Sequence, residues 1–329
     1  MPEVALPVTE AAMRVLITLP QALAERVLIR LDKFDVSVVP PESEADARVF
    51  AALGNADGAL ITPRTRIDRD FLSCAPKLRA VSTYSVGFDH IDLATAQERG
   101  IAVAHTPTVL TDAVADLVLG LILMLARRLP ESMRVGASGD WRNVPMGIDP
   151  RGKVLFIVGF GRIGQEVARR ALAFKMKISW FDQRTPKTPV DVATRVLDLK
   201  KGLADADFVS VNLDLNPSTW HMIGRDALSC MKPSAYLINT SRGPVIDQLA
   251  LTETLRDRRI AGAALDVLEQ EPPSPGDPIL KLDNVIVLPH IGTATAETRQ
   301  AMLDCAIDNL IACLRDEPCL FLAPPTQSE

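Results

Sequence analysis

The chain has 329 residues, 47% of them hydrophobic and 23% charged, so it is long enough for two ordinary globular units. A net charge of −5 and the absence of any basic run exclude a general electrostatic footprint for nucleic acid. The longest apolar run, LVLGLILMLA at 117–126, is half the length a bilayer demands, and the N-terminal MPEVALPVTEAAM lacks the basic start of a secretory signal.

Strand-like and helix-like segments alternate from the start. MRVLITL (13–19), FDVSVV, ADGALIT, LRAVSTY and IAVAHT read as strands. Between them lie QALAERVLIRL, SEADARVFAALG with Ser43 as its cap, DRDFLSCA, and DHIDLATAQERG stopped by Gly100. Strands separated by helices of this length predict parallel pairing and a doubly wound sheet. From Val109 to about Asp140 a long helical stretch follows, apolar on most faces up to Arg127; such a helix packs against another domain or another subunit.

The alternation then resumes. VLFIV (154–158), KISWF (177–181), FVSVNL (208–213), AYLINT (235–240), AGAALDV (261–267) and NVIVLP (284–289) are strands, the last read as fully buried. GRIGQEVARRALAF and QLALTETLRDRR are helices among them. The last helix covers ATAETRQAMLDCAIDNLIACLRD, and the tail PPTQSE is expected to fray. The fold class is therefore α/β with two wound parallel-sheet units and a boundary near residue 106.

The five cysteines form no CxxC and none stands at metal-ligand spacing with a histidine, so no metal is expected. Their odd number suits reduced thiols in a cytoplasmic enzyme.

Gly159-Phe160-Gly161-Arg162-Ile163-Gly164 fits G-x-G-x-x-G, and it follows an apolar strand and opens a helix. The first glycine permits the tight turn, the second lets a pyrophosphate approach the backbone, and the third lets helix and strand pack closely. The helix N-terminus offers N–H groups and a positive dipole end to the phosphates. Asp182 ends the next strand, 18 residues after Gly164, where an acid holds ribose hydroxyls and repels a 2′-phosphate. NAD is expected, with NADP as the alternative because Arg184 is near enough in sequence to pair a 2′-phosphate.

Ligands of wound sheets bind beyond the carboxyl ends of the strands. After AYLINTS comes Arg242; after AGAALDV comes Glu271; after VIVLP comes His290. Each has an ordinary alternative: a surface ion-pair arginine, a loop carboxylate with Glu269 competing for its role, a satisfied core histidine. Taken together they allow one chemistry. Arg242 grips a carboxylate with two hydrogen bonds, His290 gives a proton to a carbonyl oxygen as hydride arrives from a nicotinamide, and Glu271 favours the charged imidazolium and orients it. Gly292, two residues on, leaves room for a ring. That is reversible reduction of a 2-oxo acid.

NTSRG (239–243), ALDVLEQEPP (264–273) and LPHIGTAT (288–295), with GFGRIG, resemble the D-isomer-specific 2-hydroxyacid dehydrogenases over nearly the whole chain. STYSVGFDHIDL (82–93), HTPTVLTDAVADL (105–117), ARRLPE (126–131) and GDW (139–141) look most like the glyoxylate/hydroxypyruvate reductases, with the 2-ketogluconate reductases nearly as similar. The resemblance implies a flavodoxin-like substrate-binding domain of residues 1–106 plus 296–329, to which the last helix returns, and a Rossmann NAD-binding domain of residues 107–295. It implies Arg242, Glu271 and His290 as the catalytic set. It places Asp266 near the nicotinamide, the backbone of Arg162 and Ile163 at the pyrophosphate, and Thr240, Gly292 and Thr111 against the cofactor. Val86 and Gly87 would offer backbone N–H groups to the substrate carboxylate. Trp141 resembles a residue that reaches the active site of the partner subunit in a homodimer built around the helix after residue 108. The substrate implied is a small 2-oxo acid, glyoxylate or hydroxypyruvate, with no nucleic-acid or membrane partner.

Two segments depart from the family pattern: Phe156 stands where a glycine is usual, and NLDLNPST (212–219) replaces a segment containing Pro-Leu-Thr. Glu271 argues against the formate dehydrogenase branch, which has Gln there. The absence of a long C-terminal extension argues against phosphoglycerate dehydrogenase, and the lack of extended tails against a non-enzymatic NADH-sensing corepressor, which shares the Arg, Glu and His.

Overall fold

The computed structural model describes residues 12–40, 47–185, 190 and 193–324. Ser43, the expected cap, and the tail beyond Pro324 lie outside the described residues. The chain divides into two compact units, one of Met1–Val109 with Ala296–Glu329 and one of Leu110–Thr295.

The first unit carries β1 (Arg14–Ile17), α1 (Gln21–Arg30), β2 (Asp35–Val38), α2 (Ala47–Leu53), β3 (Gly58–Ile61), α3 (Arg69–Ser73), β4 (Ala80–Thr83), α4 (Leu93–Glu98) and β5 (Ala102–Ala104). All pairings are parallel, in the order β2-β1-β3-β4-β5, which is the flavodoxin-like winding. The short helices start where side chains cap them: Asp68 accepts from the Phe71 amide and Asp92 from that of Thr95. Gly100, at φ +69°, stops α4 as expected. The last helix of the chain belongs to this unit and packs on β3 and β4. Its contact with β3 is close: a Cβ on Gly58 would lie 2.9 Å from Leu314 Cδ1.

The second unit holds α5 (Thr111–Ala126), α6 (Leu129–Ala137), β6 (Val154–Val158), α7 (Arg162–Ala173), β7 (Lys177–Phe181), β8 (Thr194–Arg195), α8 (Leu199–Asp205), β9 (Phe208–Val211), α9 (Arg225–Ser229), β10 (Tyr236–Asn239), α10 (Gln248–Arg256), β11 (Gly262–Leu265) and β12 (Val285–Val287); α11 (Ala296–Leu314) is the helix that joins the first unit. The parallel sheet runs β12-β11-β10-β9-β6-β7-β8. Counted within the unit this is the Rossmann order 3-2-1-4-5-6 with one strand added at the far edge, and the winding reverses between β6 and β9. Alternation along β6 serves both faces. Leu155 and Ile157 join the core under α5 and α7, while Phe156 and Val158 join the core of the opposite face.

Two expectations change here, and one unanticipated strand is added. The stretch from Val109 to Asp140 is two helices. Apolar periodicity ends at Ala126, Arg128 takes φ +50°, and Pro130 starts the second helix at a position that needs no N–H. β12 is an edge strand and only half-buried. β8, two exposed residues, has too little apolar pattern to be legible. The unusual Phe156 is accommodated by Gly202 of α8, where a Cβ would meet the phenyl ring at 2.1 Å.

Candidate active site

The turn after β10 is organised from beneath. Asn239 is 1% exposed; its side chain accepts from the Ser241 amide (3.0 Å) and hydroxyl (2.8 Å) and donates to the Arg242 carbonyl (3.0 Å). Arg242 therefore leaves the turn in a fixed direction, with Nη1 donating to its neighbour's carbonyl at 2.9 Å. Gly243 comes next, and the Leu268 carbonyl oxygen would stand 1.9 Å from any Cβ there. This close approach brings the loop after β11 against the arginine turn.

That loop carries Glu271. Its Oε1 accepts from the Leu268 amide at 3.0 Å, and its Oε2 lies 2.7 Å from His290 Nδ1. Burial pushes the Glu271 carboxyl up, but the His290 bond, the imidazole charge, the Leu268 amide and the Arg242 guanidinium outweigh it, so the group stays below the ordinary range. With an ionised acceptor on Nδ1, that nitrogen is assigned as the donor, and Nε2 is the ring atom left for chemistry. The His290 side chain is 48% exposed, so it is not a core histidine.

Asp266 fixes the turn that presents His290. Its carboxylate accepts from the Ile291 amide (2.7 Å) and the Gly292 amide (2.8 Å), and its carbonyl accepts from the His290 amide (3.0 Å). His290 itself takes φ +54°, a conformation a non-glycine residue holds only when neighbours over-determine it. Burial raises the Asp266 carboxyl above its usual range despite the two amides. The space beside Gly292 is filled by this carboxylate, 3.0 Å from a Cβ position, with Val114 at 3.5 Å. Gly292 therefore serves the close approach of Asp266.

The glycine-rich turn sits at the reversal of the sheet. Gly159 has φ +93°, and a Cβ there would lie 2.5 Å from the Asn212 carbonyl oxygen. Gly164 packs α7 onto the turn, 2.2 Å from a Cβ position to Gly159 O, whereas a Cβ on Gly161 would meet open space. No side chain caps α7, so the amides of its first turn, at Arg162, Ile163 and Gly164, have no intrahelical acceptor. Asp182 follows β7, where Oδ2 accepts from the Phe160 amide and Oδ1 from that of Arg184, each at 2.8 Å. Arg184 itself pairs with Asp214 at 2.9 Å. Two buried oxygens near the strand ends, Thr240 Oγ1 and Asn212 Oδ1, have no protein partner. An uncapped helix end, an open Gly161 and two orphaned polar atoms fit a dinucleotide. Thr111, the first residue of α5, is 9% exposed.

The remaining expected residues are Val86, Gly87 and Trp141. Val86 and Gly87 belong to the first unit. The carbonyls of Ser85, Val86 and Gly87 are held by the Thr106 amide (2.9 Å), His105 Nδ1 (2.7 Å) and Ser85 Oγ (2.6 Å). The amides of Val86 and Gly87 have no intramolecular acceptor among the described residues. Trp141, in the segment after α6, is 85% exposed. Sequence reasoning missed the supports: Asn239, whose buried amide is visible only once the turn is folded, and the amide-accepting role of Asp266.

A wound dinucleotide-type sheet with an orienting carboxylate on a histidine and an arginine alongside defines a nicotinamide-dependent dehydrogenase. Residues 119–292 match the family model described as D-isomer specific 2-hydroxyacid dehydrogenase, NAD binding domain. The chain belongs to that family and is an NAD(P)-dependent oxidoreductase. It is 43% identical over 285 residues to a glyoxylate reductase of Thermofilum pendens, covering 84% of this chain and 83% of the relative. It is 42% identical over 303 residues to glyoxylate/hydroxypyruvate reductase B of Yersinia pestis, covering 90% and 92%. Among solved structures it is similar to the NADPH-dependent glyoxylate/hydroxypyruvate reductase of Sinorhizobium meliloti in complex with NADP and malonate, with TM-score 0.85, 32% identity, and 97% and 99% of the two chains covered.

Proposed function

We propose that this protein reduces glyoxylate or hydroxypyruvate to the corresponding 2-hydroxy acid, the D isomer where that carbon is a stereocentre, with His290 as the proton donor. The observation that carries the reading is the 2.7 Å His290–Glu271 bond with Arg242 on the adjoining turn. The relatives named above support the substrate class.

The second unit would bind the dinucleotide, its pyrophosphate at the amides of Arg162 and Ile163, with Asp266 near the nicotinamide and Thr240, Gly292 and Thr111 against the cofactor. Asp182 would hold the ribose, which favours NAD over NADP. Bound NADH supplies the hydride. The chain's own residues do the rest. Arg242 would grip the substrate carboxylate with two parallel bonds; the first unit is proposed as the substrate-binding one, with the amides of Val86 and Gly87 as its carboxylate donors. His290 points Nε2 at the carbonyl oxygen and gives up its proton as that oxygen gains charge, while Glu271 stabilises the charged ring and keeps Nδ1 as a donor. Carbonyl, hydride and proton together make the alcohol.

The protein is further proposed to be a homodimer. α6 buries none of its residues, and Leu129, Met133, Trp141, Val144 and Met146 form an exposed apolar stretch. Among the described residues no helix is long and apolar enough to cross a membrane. Five free cysteines suit the reducing cytoplasm.

The test is a panel of 2-oxo acids, 2-ketogluconate included, each assayed with NADH and with NADPH. The expected outcome is the highest kcat/KM for glyoxylate or hydroxypyruvate with NADH. Binding of NADH without turnover of any 2-oxo acid would defeat the proposal.

A further inference from the structure

A second histidine–glutamate pair lies in the same unit, and the chemistry above does not use it. His221 Nε2 is 2.7 Å from Glu269 Oε1. The two residues are 48 apart in sequence, and Glu269 is two residues before Glu271. Glu269 is also tied to the start of α10: its Oε1 accepts from the Gln248 amide at 3.1 Å, and its own amide donates to Gln248 Oε1 at 3.0 Å. Asp247, in the same corner, caps α10 by accepting from the Ala250 amide, which leaves Glu269 as the partner of the imidazole.

The main chain around His221 is tied to the other loop. Its amide donates to the Pro244 carbonyl at 2.9 Å, the Ile223 amide to that of Val245 at 3.1 Å, and the Asp247 amide returns to Ile223 at 3.2 Å. Pro244 is two residues beyond Arg242. One short strap, residues 220–223, therefore holds the arginine turn by its backbone and the Glu271 loop by its side chain. The turn and the loop it ties are the two that meet without space to spare, Gly243 against Leu268. His221 takes φ +48° and stacks on Trp220 at 5.0 Å, so its ring has a fixed direction.

We propose that His221 and Glu269 are positioning residues: their bond sets the register of the Arg242 turn and the Glu271 loop, and so the geometry of Glu271 against His290. This rests on the proposed roles of Arg242, Glu271 and His290. Glu271 is faced by His290 beyond β12, Arg242 beyond β10 and Asp266 beyond β11, while Glu269 is engaged by His221. A loop released at Glu269 lets the Glu271–His290 bond lengthen, and its carboxyl returns towards the ordinary range.

The experiment compares His221→Ala, Glu269→Ala and the double variant with His221→Gln, which keeps a donor. The Ala variants should lose about tenfold in kcat, a modest misplacement by the usual scale. Affinity for NADH should stay within about twofold, the acid limb of kcat/KM should move to higher pH, and the double variant should be no worse than either single. His221→Gln should recover most of the loss. Should the Ala variants not fold, Glu269→Asp, which keeps the charge but shortens the reach, should give the same acid-limb shift at smaller size. A lower Tm with kcat and the acid limb unchanged would overturn the proposal. His290→Gln, run in parallel, separates the two readings. If it turns over normally, the site reading fails; if it is inactive while His221→Ala is normal in rate and pH profile, only the strap fails.

Discussion

Asp266 reaches from the end of β11 to Gly292 and accepts its amide at 2.8 Å, while its second oxygen takes the amide of Ile291. A carboxylate 1% exposed thus spends both oxygens on the turn that presents His290. Asp266→Asn offers one acceptor where two amides point, leaving a buried donor unsatisfied at a cost of about 1–3 kcal/mol. Turnover should fall at least about tenfold as the His290 turn loosens. The pH dependence has a definite sign. Burial raises the folded-state value of Asp266, so its contribution to stability is full below the unfolded value and is lost as pH rises through the folded one. The Tm deficit of Asp266→Asn should therefore shrink between pH 4 and pH 7; a deficit that grows over that range would refute the assignment.

Glu271 has the opposite sign. Its folded-state value is lowered, so its contribution is full above the unfolded value of about 4.3 and is lost as pH falls through the folded one. The stability advantage of the wild type over Glu271→Gln should be constant from pH 8 to about pH 5 and disappear on further acidification. The kcat/KM profile of the wild type should have an acid limb below the ordinary carboxylate range, absent in Glu271→Gln. Calorimetry and stopped-flow kinetics over this range check both.

Gly243 is constrained by backbone, which cannot turn aside. A Cβ would meet Leu268 O at 1.9 Å and the Glu269 amide at 2.4 Å. Gly243→Ala must push the arginine turn from the Glu271 loop, costing roughly 1–3 kcal/mol or more. At about 2–4 °C per kcal/mol the Tm should drop visibly, and kcat should fall with it. An unchanged Tm with wild-type kcat would show that the two loops do not depend on this approach.

The winding was legible because parallel strands buried on both faces leave continuous apolar runs, and VLFIV and AYLINT end on the residues that matter. Arg242 and His290 stand out as the polar residues that follow strand ends, and a glutamate is expected after AGAALDV. What escaped was tertiary. Glu269 and Glu271 are equivalent by spacing, and only the fold gives one to His221 and the other to His290. That Gly292 also admits the Asp266 carboxylate is visible only in space. The break at Arg128 needed a left-handed residue that no periodicity announces. Asn239 looks like one more polar strand end until its side chain is seen to hold the whole turn.

Asp182 joins cofactor choice to the shape of the glycine turn, because its Oδ2 accepts from the Phe160 amide. Asp182→Asn keeps an acceptor for that amide and removes the charge that repels a 2′-phosphate. The ratio of kcat/KM for NADH over NADPH should fall about tenfold, equivalent to ~1.4 kcal/mol. Asp182→Ala removes the acceptor as well and should lower efficiency with both cofactors. A wild-type enzyme that uses NADPH as well as NADH would overturn the NAD preference.

The exposed arm offers the last test. Trp141 is 85% exposed, Met146 82%, Met133 70% and Val144 61%, and α6 buries nothing. Several large apolar side chains exposed within one segment mark a surface that is covered when it is functional, and a second copy of the chain is the proposed cover. Two charges placed in it, Met133→Glu with Val144→Glu, should give a monomer by sedimentation at concentrations where the wild type is a dimer. Trp141→Ala should separate assembly from chemistry. If the indole reaches the partner's substrate site, this variant raises KM for the 2-oxo acid about tenfold, or alters the order of preference among oxo acids, more than it weakens the dimer. A Trp141→Ala protein that stays dimeric with an unchanged substrate profile would reduce the residue to surface packing, and a monomeric wild type would remove the dimer altogether.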